Sequence, residues 1–152
     1  PNEAVRPGLY RGAAALLALE YEAVILHVAR TTEPSVRDVI ALADGVVLVT
    51  TLDLMSIYGA RRVMAAFAVE GASPSWFPVI NRAARSTLTP KDVERALGLK
   101  PAARIRSDAR VRRAQERGRL LPPKARGAGR DVRRLAALLA KVSPGAGTER
   151  GA

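Results

Sequence analysis

Polar side chains follow short apolar runs at two points along this chain of 152 residues. Continuous apolar runs are typical of parallel strands that are covered on both faces. Ligands bind to open α/β sheets where such strands reach their carboxyl ends, so these polar positions form a candidate ligand-binding edge. They are Thr50, Thr51, Asp53, Asn81 and Arg82.

The residue types at this edge limit its chemistry. The chain has one histidine and no cysteine, which excludes disulfides and thiolate metal sites. No pair of carboxylates and no Ser/His/Asp set has a catalytic spacing, so we predict no catalytic residue and no metal site. Asp108 fits a helix cap better than an acid catalyst, and a structural histidine is the simpler interpretation of His27. The polar residues at 50–53 can equally satisfy loop backbone.

The charge of the chain is concentrated in one segment. The net charge is +11, and residues 101–134 carry +9 of it, from twelve Arg and Lys against three Asp and Glu. Such a segment is a candidate surface for non-specific DNA binding, but a solvated face or a surface for an acidic protein partner fits as well. No aromatic residues are interleaved, which argues against stacking on single strands. The polyanion-binding candidates are Arg104, Arg106, Arg110, Arg112, Arg113, Arg117 and Arg119.

The elements that must position these residues alternate between strand and helix. We predict strands at residues 23–28, 46–49, 76–81 and 102–106. We predict helices at residues 9–20, 34–43, 54–69, 91–97, 109–117 and 131–142. The fold class is therefore α/β, with a mostly parallel sheet of about four strands flanked by helices on both faces. Pro78 predicts a short ladder or a permissive position in its strand, since proline has no N–H to donate.

The domain organisation follows from the same pattern. Residues 9–142 form one α/β domain, residues 1–8 are a lead-in, and residues 143–152 are a disordered tail. No apolar run reaches the roughly 18 residues of a transmembrane helix, and we predict a cytoplasmic location. The chain begins at Pro1 without a methionine, which is consistent with a piece of something longer.

Several stretches, in this order, resemble the C-terminal part of a ParA/MinD-type ATPase with a P-loop NTPase fold. They are residues 21–27 (YEAVILH), 41–51 (ALADGVVLVTT), 59–62 (GARR), 79–82 (VINR), 93–98 (VERALG) and 111–120 (VRRAQERGRL). The resemblance covers residues 16–139 and is strongest to the CpaE/TadZ-like branch, which positions pilus and secretion machinery. It implies vestigial nucleotide-binding positions at Asn81, Arg82 and Asp108, with Asn81 at the place of the asparagine that contacts adenine. His27 occupies the switch II aspartate position.

Two departures from the family pattern bear on function. A phosphate-binding loop ends in Gly-Lys-Ser/Thr, and none of the four lysines, Lys91, Lys100, Lys124 and Lys141, lies in such a sequence. The imidazole of His27 cannot replace a carboxylate in holding magnesium, which prefers oxygen ligands. We therefore expect no cofactor in this chain, and ATP with magnesium only if a phosphate loop lies upstream.

Three hypotheses follow. The first is a degenerate ParA/MinD-like module that acts in subcellular positioning or assembly, without hydrolysing ATP by itself. The second is the C-terminal fragment of an active ParA/MinD-like ATPase. The third is a non-specific DNA-binding module that uses residues 101–134. We expect a protein partner or a homodimer under the first hypothesis.

Overall fold

The computed structural model describes residues 8–28, 34–68, 74–84, 86–122 and 124–142. Most of the predicted lead-in, the predicted tail and the end of the third predicted helix at residue 69 lie outside these ranges. The described elements are α1 Leu9–Glu20, α2 Pro34–Leu42, β1 Gly45–Thr50, α3 Leu54–Ala68, β2 Ser75–Ala83, α4 Pro90–Leu97, β3 Ala103–Arg106, α5 Ala109–Glu116 and α6 Ala128–Leu139.

The apolar runs at residues 46–49 and 76–81 and the short run at 102–106 all become strands of one parallel sheet. The strand order is β1-β2-β3 within the described residues. β1 pairs with β2 from Gly45 opposite Ser75 to Thr50 opposite Ile80, and β2 pairs with β3 from Val79 opposite Ala103. The predicted α/β class with a mostly parallel sheet and flanking helices is confirmed. Because the strands share one direction, their carboxyl ends meet at one edge.

The prediction of a strand at residues 23–28 is wrong. Tyr21 to Val28 contains neither helix nor strand. A strand exists only where its backbone groups find a ladder partner, and no described strand pairs with this segment. Ile25, in the middle of the apolar run, is 91% exposed. The apolar run alone therefore did not specify a strand, and the described sheet has three strands instead of four.

Two apolar clusters hold helices against the sheet. The first joins α3, β2 and α4 through Ile57, Ala60, Ile80, Val93 and Leu97. The second joins α2 to α3 through Val36, Ile40 and Phe67, with Val46 and Trp76 packed against it. Each fully buried side chain of this size contributes about 1.5–3 kcal/mol. The helical spacing of three and four residues that predicted these stripes thus fixes where the helices lie on the sheet.

Pro78 lies in the central strand, which is nine residues long and so not short. Its carbonyl oxygen accepts a hydrogen bond from Ala102 N at 2.7 Å, on the β3 side. The N–H and C=O of a strand residue point to the same neighbour, so the missing N–H of Pro78 would face this side too. Val79 lies opposite Ala103, the first residue of β3. Pro78 therefore lies opposite the residue that precedes the β2–β3 ladder. This position is permissive because no ladder hydrogen bond there requires an N–H from residue 78.

Local capping signals set the bounds of the later helices. Thr89 caps α4 in a capping box with Asp92, Pro90 occupies the first turn, and Gly98 ends the helix with φ 69°. Asp108 caps α5, as predicted. α6 begins at Ala128, three residues before the predicted start, because Gly127 serves as its N-cap residue. Among the described residues, no helix is long and apolar enough to cross a bilayer.

Candidate functional site

The loop after β1 uses its polar groups internally. Thr50 is 1% exposed, and its hydroxyl donates to Ser56 Oγ at 3.1 Å. The same oxygen accepts from Thr51 N at 3.1 Å, and Ser56 N donates to Asp53 Oδ1 at 2.8 Å. The hydroxyl of Thr51 donates to the other carboxylate oxygen of Asp53. Asp53 therefore acts as a cap for the start of α3, and this loop is rigidly built at the carboxyl edge of the sheet.

The end of β2 departs from regular strand geometry at Asn81 and Arg82. The β2–β3 register shifts between Ile80 and Ala83, so these two residues bulge out of the ladder. Arg82 has φ 50°, a left-handed conformation that is uncommon for a side chain other than glycine. Asn81 Oδ1 accepts from Arg82 N at 2.8 Å and so supports this turn. The side-chain amide nitrogen of Asn81 makes no hydrogen bond to another described residue, so its two N–H groups are available at this edge.

A single hydroxyl connects the loop after β2 to the loop after β1. Ser86 Oγ donates to Leu52 O at 2.8 Å and accepts from Leu88 N at 3.1 Å. The structure thus brings the predicted positions after β1 and β2 together at one edge, as the parallel topology requires.

Asp108, after β3, is fully occupied by hydrogen bonds. Its Oδ1 accepts from Arg110 N and Arg110 Nε, each at 3.0 Å. Its Oδ2 accepts from a guanidinium nitrogen of Arg110 at 2.8 Å and from Ala128 N at 3.2 Å. The hydrogen bonds from Arg110 lower the pKa of this carboxyl. Asp108 therefore caps α5 and holds the start of α6.

Asp131 forms a second carboxylate–guanidinium pair, which the sequence analysis missed. It is 6% exposed, and its Oδ2 accepts from Arg106 N at 3.1 Å and Arg106 Nε at 2.8 Å. Its Oδ1 accepts from the terminal guanidinium of Arg106 at 3.1 Å. The hydrogen bonds from Arg106 lower the pKa of Asp131. The available signal was its position as one of only three acidic residues in a strongly basic segment.

These pairs divide the predicted polyanion-binding arginines into two groups. Arg106 is held by the buried carboxylate of Asp131 and Arg110 by the half-buried Asp108, and Arg112 lies 3.7 Å from Glu116 on the surface. The other members, Arg104, Arg113, Arg117 and Arg119, make no hydrogen bond or ion pair with any residue in the described ranges. Only this second group has guanidinium groups ready for an external anion.

A cleft beside α5 gathers most of the second group. It has a volume of about 330 Å³, and we call it the Arg–Leu cleft. Its lining combines guanidinium groups with the apolar side chains of the chain that follows α5. The residues are Arg110, Arg113, Ala114, Arg117, Arg119, Leu120, Leu121 and Pro122. Leu120 is 96% exposed, so an apolar side chain lies in water beside cationic groups.

His27 belongs to the irregular segment of residues 21–28, outside the described strands, and its side chain is exposed. The structure therefore does not place it at the end of a strand, as the sequence analysis expected. Within the described part of the chain, no group of three or more His, Cys, Asp or Glu side chains has the arrangement of a metal site.

The parallel sheet with flanking helices is also found in solved structures of MinD cell division proteins. Two solved structures share it. The cell division ATPase MinD of Pyrococcus furiosus matches with a TM-score of 0.75 and 17% identity, over 91% of this chain and 60% of that chain. The MinD cell division protein of Aquifex aeolicus matches with a TM-score of 0.59 and 19% identity, over 68% of this chain and 46% of that chain.

These similarities establish the fold. The chain spans less than two thirds of the length of either MinD structure. No protein-family model and no curated protein matches the chain.

Proposed function

We propose that this protein is a degenerate MinD/ParA-like module that acts in subcellular positioning or assembly and does not hydrolyse ATP by itself. The process that it serves belongs to the class of pilus or secretion assembly, septum placement or chromosome partitioning. It acts through a protein partner or as a homodimer, and Asn81, Arg82 and Asp108 are vestiges of a nucleotide site. The two MinD structures support this proposal through fold alone.

One observation carries the proposal. The carboxylates that follow β1 and β3, Asp53 and Asp108, both accept hydrogen bonds from the start of a helix. A magnesium–nucleotide complex needs oxygen ligands that are open to the metal. Arg110 binds both oxygens of Asp108, so releasing that carboxylate would also release the start of α6. The loops still meet at one edge of the sheet, as they would in a binding site. The carboxylates at this edge, however, form hydrogen bonds that stabilise the fold.

The test is ATP binding and hydrolysis by the full-length protein with magnesium, measured by calorimetry and phosphate release. The His27→Asp variant is measured beside it. We expect no phosphate release above the buffer rate from either protein, because Asp53 and Asp108 remain bound to the starts of helices in both. Hydrolysis by the natural protein at a rate of about 0.01 s⁻¹ or more, typical of slow P-loop enzymes, would overturn the proposal.

The alternative is the back part of a working ATPase. It is favoured by the coverage, since 40% of the Pyrococcus furiosus chain has no counterpart here. Under this alternative, a phosphate loop upstream supplies the contacts to ATP and magnesium, and Asn81 contributes its free amide donor to the base. Hydrolysis by the natural protein that falls after Asn81→Ala, with fold intact by circular dichroism, would select this alternative.

A further inference from the structure

The Arg–Leu cleft has a composition that the proposed nucleotide edge does not explain. Its lining includes Arg113 and Arg117 on α5 and its C-terminal cap, and Arg119 to Pro122 on the chain that follows. None of these residues belongs to the loops at the carboxyl ends of β1 and β2. The cleft adjoins that edge through Arg110, which pairs with Asp108 after β3, but its other residues lie along α5 and the chain that follows it.

Charge repulsion between two arginines of the cleft destabilises the fold. Arg113 and Arg117 are four residues apart, so their side chains lie on the same face of one helical end and repel each other. Neither forms an ion pair with another described residue, whereas Arg110, one turn earlier, is held by Asp108. An external anion between Arg113 and Arg117 would relieve this repulsion.

The apolar part of the cleft indicates what kind of anion fits. Leu120 is 96% exposed directly beside these cations, and Leu121 and Pro122 continue the apolar surface. A DNA backbone offers phosphates and sugars, which leave a leucine side chain without an apolar partner. A volume of about 330 Å³ is at the small end of ligand sites, and it accommodates one or two side chains.

We propose that the Arg–Leu cleft binds an acidic peptide segment of a protein partner, with an apolar side chain between carboxylates. The carboxylates pair with Arg113 and Arg117, whose planar guanidinium groups bind carboxylates through two parallel hydrogen bonds. The apolar side chain packs against Leu120, Leu121 and Pro122. This inference rests on the proposed function in needing a protein partner, and it names the chemistry of that partner.

The probe is a fluorescein-labelled peptide of twelve residues in which Asp and Glu alternate with Leu and Phe. Binding to the full-length protein is measured by fluorescence anisotropy, beside an all-Glu peptide of the same net charge. We expect the mixed peptide to bind about tenfold more tightly than the all-Glu peptide. The Arg113→Gln/Arg117→Gln variant should weaken it about tenfold or more, since charge-assisted hydrogen bonds are lost.

Two further variants separate charge from apolar contact. Leu120→Ser should weaken the mixed peptide about fivefold and leave the all-Glu peptide unchanged, because only the mixed peptide covers that side chain. Arg104→Gln/Arg112→Gln removes the same charge from residues outside the cleft, and it should change binding of the mixed peptide less than about twofold. All these positions are on the surface, and circular dichroism checks that each variant is folded.

Duplex DNA and vesicles of phosphatidylglycerol are the competing ligands. Tighter binding of either one, lost in Arg113→Gln/Arg117→Gln and unaffected by Leu120→Ser, would overturn the inference in favour of a phosphate-bearing partner. Equal binding of the mixed and all-Glu peptides would also overturn it. Neither result changes the expectation for ATP hydrolysis. The inference about the cleft can therefore fail while the proposed function stands, and the proposed function can fail while the inference stands.

Discussion

The two ends of the described chain use their apolar and charged residues in opposite ways. From β3 to α6, carboxylates tie successive elements together. Asp108 links α5 to the start of α6, and Asp131 links α6 back to β3. At the other end, no residue of α1 is buried, and the apolar run after it lies in water with Ile25 91% exposed.

Comparing the two ends shows which residues have their contact partners within the described part of the fold. The carboxylate pairs are complete in themselves, since both members lie within residues 103–131. The apolar residues of α1 and of residues 23–28 are not themselves buried, although α1 contacts α2. Stability should therefore reside in the sheet, in α2 to α6 and in their connections, while changes in α1 and in residues 23–28 should have little effect on it.

The largest contrast that we expect is between two isoleucines. Ile80 is fully buried between α3 and α4, so Ile80→Ala should lower the free energy of unfolding by about 3 kcal/mol through the lost burial and the cavity. Ile25→Ala should change it by less than about 0.5 kcal/mol, because the side chain is already in water. Urea unfolding followed by circular dichroism measures both. A loss of more than about 1 kcal/mol for Ile25→Ala would show that residues 23–28 are packed in solution.

A smaller contrast tests the connection between α5 and α6. Gly127 has φ 65°, and a Cβ there would collide with the Asp108 carboxylate and the Arg110 guanidinium. Gly118 has a similar φ of 58° with open space around it. Gly127→Ala should therefore cost about 2 kcal/mol and Gly118→Ala about 1 kcal/mol, since both have a positive φ and only the first also disturbs the ion pair.

The same urea measurement distinguishes the two glycine variants. Equal costs would mean that the Asp108–Arg110 pair moves aside freely and does not hold α6 in place. A larger cost for Gly118→Ala would contradict the role that we assign to the connection.

Signals that are local in sequence predicted most of the fold. The strands β1 and β2 were found because their apolar runs are bounded by turn residues, and β3 was predicted as a short basic strand between two helices. The start of α4 was found because Thr89 and Pro90 are adjacent, and its end because Gly98 follows directly. Each of these signals lies within a few neighbouring residues, and the tertiary contacts of the fold agree with it.

The predictions failed where the partner is distant. The run at residues 23–28 has strand composition, but a strand also needs a ladder partner, which composition does not identify. Asp131 and Arg106 are 25 residues apart, and the start of α6 depends on Asp108, 20 residues before Ala128. From the charge count, the sequence analysis predicted the same polyanion-binding role for seven arginines, although carboxylates within the fold bind Arg106 and Arg110. Whether Asn81, Arg82 and Asp108 bind a nucleotide stays a prediction.

The smallest effect that we predict concerns the buried carboxylate of Asp131. Asp131→Asn should lower the free energy of unfolding by about 1 kcal/mol at pH 7, because Arg106 is more than half exposed and water screens the pair. Glu116→Gln removes one member of an exposed pair at 3.7 Å, and it should change stability by less than about 0.5 kcal/mol.

The pH dependence of the Asp131→Asn effect sharpens this prediction. The pKa of Asp131 is lowered in the folded state, so the folded protein favours the ionised form and gains stability above the unfolded value of about 3.9. This gain disappears as the pH falls through the lower, folded pKa. Asp108 and Asp92 titrate in both proteins and cancel in the difference between them. The difference in unfolding free energy between natural protein and variant should therefore be constant from pH 7 to 5 and shrink towards pH 2. A difference that stays constant or grows on acidification would mean that Asp131 stabilises α6 by its shape and hydrogen bonds, not by its charge.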